Sequence, residues 1–232
     1  MDSIGTQLIS PTRIRSDLYS FDSAEQSCPC VLSVLSSLLE RVVSRNDRLA
    51  VSNNITFSPP KYDVFNGLEV PDISIQHYLE RIFRYIRCSP SVFVVAYAYI
   101  DRLIQFHPQF KINSQNVHRL IIVTVMIASK FVEDINYKNS YYATVGGFSR
   151  EEINRLEMEF LFLLGFKLQV TVNVFERYCC HLEREVAMGG GFQIERSLRL
   201  SCAKDETCGP NSKSRMAVYG LSSYSHIKNR RV

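Results

Sequence analysis

Residues 120–128, LIIVTVMIA, are apolar on every side of a helix, broken only by Thr124. Such a segment cannot lie on a surface. Neighbours must enclose it, so a chain that carries it folds as a bundle with this helix at the centre. The run is far shorter than the roughly 20 apolar residues that span a bilayer. With 46% hydrophobic residues the chain has enough apolar material for a core, which excludes wholesale disorder. A length of 232 residues fits one domain with tails, or two small domains.

Other helices are written around this centre. Val31, Leu35, Leu38, Leu39, Val42 and Val43 share one helical face opposite Glu40, Arg41 and Arg45, and this helix is expected to end near Asn46. Pro59, Pro60, Gly67 and Pro71 mark a connector. Ile75, Leu79, Ile82, Phe83 and Ile86 form the next stripe. Ser89-Pro90 then starts a helix that must stop at His107-Pro108. Asn113 or Ser114 is expected to cap the central helix. Ser149 with Glu152 forms a capping box for a further helix lined by Ile153, Leu156, Phe160, Leu163 and Leu164, with Gly165 as its left-handed stop. Asn173 with Glu176 is expected to repeat the box for a last helix ending at Gly189. No run alternates with period two, so the predicted fold is all-α. It has five helices over 71–187, an added helix and connector over 31–70, a disordered leader over 1–30 and a flexible tail over 188–232.

Charge is unevenly placed. Residues 1–70 carry 6 basic and 8 acidic side chains, residues 71–187 carry 13 and 12, and residues 188–232 carry 8 and 3. The basic character belongs to the tail, and a nearly neutral middle argues against a domain that tracks nucleic-acid phosphates. Seven cysteines without paired CxxC motifs offer no zinc site, and no apolar signal segment opens the chain. The expectation is an intracellular protein of the nucleus or cytoplasm, off the membrane.

Catalytic motifs are missing: no phosphate loop, dinucleotide fingerprint, HExxH, GxSxG, HRD or DFG occurs. Nothing calls for a cofactor or metal. His181 and Glu185, at i,i+4 spacing, read as a solvated helix face, and Cys179-Cys180 as packing residues. Two charges lie beside apolar surface. Lys130 follows the apolar run, and Glu157 borders the buried stripe one position from Leu156. Charges there are costly unless paired, which leaves two readings: a local Lys130–Glu157 salt bridge, or a pair aimed at the backbone of a partner helix.

"YLERIFRY" (78–85), "AYAYIDRL" (96–103), "NVHRLIIVTVMIASKFVED" (116–134) and "NRLEMEFLFLLGFKLQV" (154–170) follow one another at the spacing of a cyclin box. With "YKNSYYATVGG" (137–147), "YCCHLEREV" (178–186) and "VLSVLSSLLERVVSRND" (31–47), the chain closely resembles the plant U-type, or P-type, cyclins, which are similar to the yeast phosphate-pathway cyclin.

The resemblance implies a non-catalytic regulatory subunit of a cyclin-dependent Ser/Thr kinase of the PSTAIRE type, in cell-division or nutrient signalling. The family's kinase-contacting Lys and Glu match Lys130 in "IASKF" and Glu157 in "RLEME", and its apolar contacts match Leu161, Phe166 and Leu168. Asp101-Arg102 matches a doublet that is mainly structural in the family. Two departures stand out. The Met-Arg-Ala-Ile-Leu segment that docks RxL-type substrates in many cell-cycle cyclins falls near residues 71–75, where its Arg is missing. The residues after 187 are too few for a second five-helix repeat, so a single box is expected. The alternative from another class is a cyclin-fold nucleic-acid or transcription adaptor, which needs a basic face on the box.

Overall fold

A computed structural model describes residues 10–20, 28–53, 59–134 and 136–187, and among these every regular element is helical. The helices are α1 (Pro11–Tyr19), α2 (Cys30–Asn53), α3 (Ile75–Ile86), α4 (Pro90–Phe106), α5 (Val117–Val132), α6 (Asn139–Gly146), α7 (Arg150–Leu163) and α8 (Val172–Ala187), with a 3-10 turn at Pro60–Phe65. The tail expected to be flexible, 188–232, lies outside the described residues.

The all-round apolar segment is the centre of the bundle, as predicted. From Val117 to Ser129 every α5 residue except Arg119 is buried. Thr124 is tolerated there because its hydroxyl donates to the Leu120 carbonyl at 2.6 Å, so no polar atom is left bare. α4 makes the most extensive contact with α5, while α3, α6 and α7 close around its other sides. Each enclosed Leu, Ile or Val contributes about 1.5–3 kcal/mol relative to exposure, so this helix alone accounts for much of the driving force.

Local signals hold at several ends. Ser149 accepts the Glu152 N–H at 3.0 Å while Glu152 accepts the Ser149 N–H at 3.2 Å, the predicted capping box. Pro90 opens α4, but the Ser89 hydroxyl does not cap it. Instead Oε1 of Glu133 accepts both the Ser89 N–H at 2.9 Å and its hydroxyl at 2.8 Å, placing a carboxylate at the positive end of α4.

Elsewhere the structure corrects the expectations. The leader is not wholly unstructured: residues 11–19 form α1, with Ser10 accepting the Arg13 N–H and Pro11 in the first turn. Its docking is tertiary. Ile14 is fully buried, Arg15 meets Glu183 at 2.9 Å, and the Tyr19 hydroxyl donates to Glu176 at 2.7 Å. α2 does not stop near Asn46, whose buried amide donates to the Ile112 carbonyl at 2.7 Å, and it runs on to Asn53. Asn113 does not cap α5 but turns the chain before it, its Oδ1 accepting the N–H groups of Gln115 and Asn116. The α8 cap is Thr171, accepting the Val174 N–H at 3.3 Å, because Asn173 lies inside the helix and Glu176 is engaged by Tyr19. The connector buries Tyr62 and Phe65 edge-on against Phe110, with ring centroids 5.2 and 5.9 Å away.

Candidate functional site

The last turn of α5 brings Lys130 out of the core to meet α7. Lys130 Nζ lies 2.6 Å from Oε1 of Glu157, with the two side chains 32% and 16% exposed. The half-buried setting makes the bond matter, since loss of either member strands the other charge in poorly hydrated surroundings.

α6 supplies the third member. Asn139, at its first position, accepts from Lys130 through Oδ1 at 2.5 Å. It donates through Nδ2 to Oε2 of Glu157 and to Oδ1 of Asn154, both at 2.7 Å. One amide thus touches both charges and fixes their spacing. Nothing in the polar "YKNSYY" stretch shows an apolar period, so the sequence carried no signal for α6 or for Asn139's role.

Leu161 lies one turn beyond Glu157 on α7 and is partly buried against the core. The chain then leaves α7 through Gly165 and Phe166, both left-handed at φ 58° and 57°. Gly165 is the predicted stop; Phe166 adopts this conformation despite its Cβ. The Phe166 N–H reaches back to the Leu161 carbonyl at 3.0 Å. Its ring is 56% exposed and packs edge-on to Phe162, centroids 5.4 Å apart. Leu168 follows, partly buried. The structure therefore joins Lys130 to Glu157 directly and places Leu161, Phe166 and Leu168 along one continuous stretch of chain after Glu157.

Residues outside the predicted set on α5 and α7 are also apolar and exposed. Phe162 is 62% exposed, Met158 49% and Phe131 53%. The signal for two of them was an excess of apolar residues on α7: Met158 and Phe162 lie off the stripe formed by Ile153, Leu156, Phe160 and Leu163, and so have no core to enter.

The other sequence candidates fall elsewhere. His181 is not on a solvated face; it is buried, its Nε2 has no partner among the described residues, and burial lowers its pKa. Glu185 pairs instead with Arg41 at 2.8 Å. Cys179 is buried as expected, its thiol pushed up to about 12 by burial, while Cys180 is exposed. Asp101 accepts from the Tyr178 hydroxyl at 2.8 Å and from Gln105, and Arg102 is bound to backbone carbonyls of 167 and 169. Ile75, in the region of the missing docking segment, is buried, and the Ile73 carbonyl accepts from His118. Among the described residues no cluster of side chains is arranged to hold a metal ion, and no helix is long and apolar enough to cross a membrane.

The geometry is that of an α-helical bundle with a braced Lys–Glu pair on helices that also carry exposed aromatic rings. The chain belongs to the cyclin family, whose model matches residues 30–168, more than half its length. Within that family it is of the plant U-type and P-type group. It is 56% identical to Cyclin-U2-1 of Arabidopsis thaliana over 220 residues, covering 94% of this chain and 93% of the relative. It is also 56% identical to Cyclin-U2-2 of the same plant over 199 residues, covering 85% and 86%. To Cyclin-P2-1 of Oryza sativa subsp. japonica the identity is 46% over 193 residues, covering 81% and 88%. The match takes in α2 as well as α3 to α7 and stops at Leu168, the last of the five candidate contact residues. A regulatory role of the cyclin kind follows from this membership.

Proposed function

We propose that the chain is the non-catalytic regulatory subunit of a cyclin-dependent Ser/Thr kinase of the PSTAIRE type, acting in cell-division control or in nutrient signalling. Lys130 and Glu157 serve as polar anchors for the backbone around the kinase's C helix, and Leu161, Phe166 and Leu168 form the apolar ground on which that helix packs. The single observation that carries the reading is the Lys130–Asn139–Glu157 brace beside exposed Phe162 and Phe166. It presents fixed charges within an apolar border, which suits a partner that buries a helix and satisfies a few main-chain groups.

Activation by such a surface is a population shift. The bound cyclin favours the kinase conformation in which its C helix is turned inward and its Lys–Glu pair is formed. All reacting groups belong to the kinase. The regulatory chain contributes only the difference in affinity between the two kinase states, on the order of several kcal/mol for a near-complete shift. The balance of 13 basic and 12 acidic side chains over 71–187 does not favour the alternative of a nucleic-acid adaptor.

Co-purification of the full chain with a PSTAIRE-type kinase tests this reading. Lys130→Ala and Glu157→Ala should each weaken the complex at least tenfold while far-UV circular dichroism stays helical. A complex indifferent to the double substitution removes this interface from consideration.

A further inference from the structure

Three residues of α4, Tyr99, Arg102 and Phe106, and its C-cap His107 converge on the chain as it leaves α7. His107 Nε2 donates to the Leu163 carbonyl at 2.9 Å. Arg102 donates through Nη1 to the Lys167 carbonyl, and through Nη2 to the Gln169 carbonyl at 3.1 Å. Between them the Leu168 carbonyl accepts the Tyr99 hydroxyl at 2.8 Å. The Lys167 ammonium sits over the Phe106 ring, 5.2 Å from its centroid. Three successive carbonyls are thus held by two side chains of one helix.

The held stretch begins one residue after Phe166, whose left-handed backbone is disfavoured for a residue with a Cβ. An exposed ring cannot secure that conformation by its own burial. The hold must come from the chain on either side: the Phe166 N–H bonded to Leu161 before it, and the clamped carbonyls after it.

We propose that Arg102 and Tyr99 are positioning residues for partner docking. They set the path of residues 166–168 before a partner arrives, so that Phe166 and Leu168 need no ordering on contact. Tyr99 is fully buried and acts only through the segment it holds. The inference rests on the reading that Phe166 and Leu168 touch the kinase. It differs from a general stabilising role, which would lower the melting temperature and leave the affinity of the folded chain unchanged.

The test compares binding of the full chain to a purified PSTAIRE-type kinase, by calorimetry, for Arg102→Ala, Tyr99→Phe, Phe166→Ala and the Arg102→Ala/Phe166→Ala pair. Phe166→Ala should weaken binding by more than about tenfold, Arg102→Ala by about tenfold and Tyr99→Phe by about threefold. Arg102→Ala should cost clearly less once Phe166 is gone than in the native chain, because part of its effect runs through that ring and the rest through Leu168. In the unbound chain, amide exchange at Phe166 and Leu168 should quicken in Arg102→Ala while α4 and α7 amides stay protected. Tyr99→Phe keeps the ring and removes one bond, so it carries the same comparison should Arg102→Ala not fold. Equal losses with and without Phe166, or unchanged exchange at Phe166 and Leu168, overturn the positioning role. If Phe166→Ala alone leaves binding intact, the docking reading falls, and this inference with it, whatever exchange shows.

Discussion

Arg119 and Glu152 join the central helix to the start of α7, with Nη2 of Arg119 2.8 Å from Oε1 of Glu152. The other carboxylate oxygen accepts the Ser149 N–H, so one side chain closes a capping box and a tertiary ion pair together. The Arg119 guanidinium also covers the Phe148 ring, 5.0 Å from its centroid. Desolvation pushes the Glu152 pKa up, but the bonds from Arg119 and Ser149 outweigh it and leave the carboxyl below its ordinary value.

A carboxylate with a depressed folded pKa stabilises the fold above its unfolded pKa and loses that contribution as pH falls through the folded value. Glu152→Gln should therefore be less stable than the native chain at pH 7, and the gap should narrow below about pH 4.3. With the side chain 44% exposed, solvent screening limits the gap to under about 1 kcal/mol. Urea midpoints at pH 7 and 3.5 measure it, and a gap that does not change with pH rejects the ionic account.

His181 acts in the same direction as Glu152, but in a milder acid window. Burial lowers its pKa, Arg184 and Arg41 add to this, and Glu185 opposes it. The unfolded chain then binds the proton more readily, so stability is complete above about pH 6.5 and declines as pH falls below it. His118 shifts in the same direction for the same first reason. Replacing His181 by Leu should reduce, without abolishing, the stability lost between pH 7 and pH 5 in chemical denaturation.

Asn139 serves two charges at once. Asn139→Ala should cost about 1–2 kcal/mol, because Lys130 and Glu157 each lose a bond in partly desolvated surroundings. For a domain of this size that lowers the melting temperature by about 2–4 °C per kcal/mol. Asn139→Asp keeps the shape but places a second carboxylate at 2.7 Å from Glu157, and should be the worse of the two at pH 7. Differential scanning calorimetry ranks them.

α1 covers Cys179, which is buried beneath Tyr19 and kept as an unreactive thiol. Ile14 is the fully buried contact of that helix. Ile14→Ala should cost up to about 2–4 kcal/mol of α1 docking and leave the rest of the bundle in place. Alkylation mapped by mass spectrometry should then find Cys179 labelled faster than in the native chain, with exposed Cys180 labelled equally in both.

What could be read from the sequence divides along physical lines. Helices that bury a continuous stripe, such as α3 with Ile75, Leu79, Ile82 and Ile86, declare themselves through spacing alone. The meeting of Lys130 with Glu157 is one of two readings that charges bordering apolar faces leave open, and the structure shows that local bridge. α1 offers only Ile14 and Leu18 to its neighbours, too few for a period, and depends on Glu176 and Glu183 more than 150 residues away. α6 is built on polar and aromatic residues whose roles are tertiary: Asn139 braces the ion pair, Tyr141 donates to the Tyr85 carbonyl and Tyr142 to Ser129. Caps failed as signals where a distant group took the capping residue first, as Glu133 does with Ser89 and Tyr19 with Glu176. His181 was misplaced because a lone polar residue on an amphipathic helix does not reveal which neighbour will cover it.

The clamp from α4 grips main-chain oxygens and ignores what the gripped residues are. Lys167 and Gln169 are both exposed residues whose carbonyls are held by Arg102. Shape and identity are thereby uncoupled at the rim of the proposed docking surface. Residues at these two places can therefore be exchanged without rebuilding the loop that carries them.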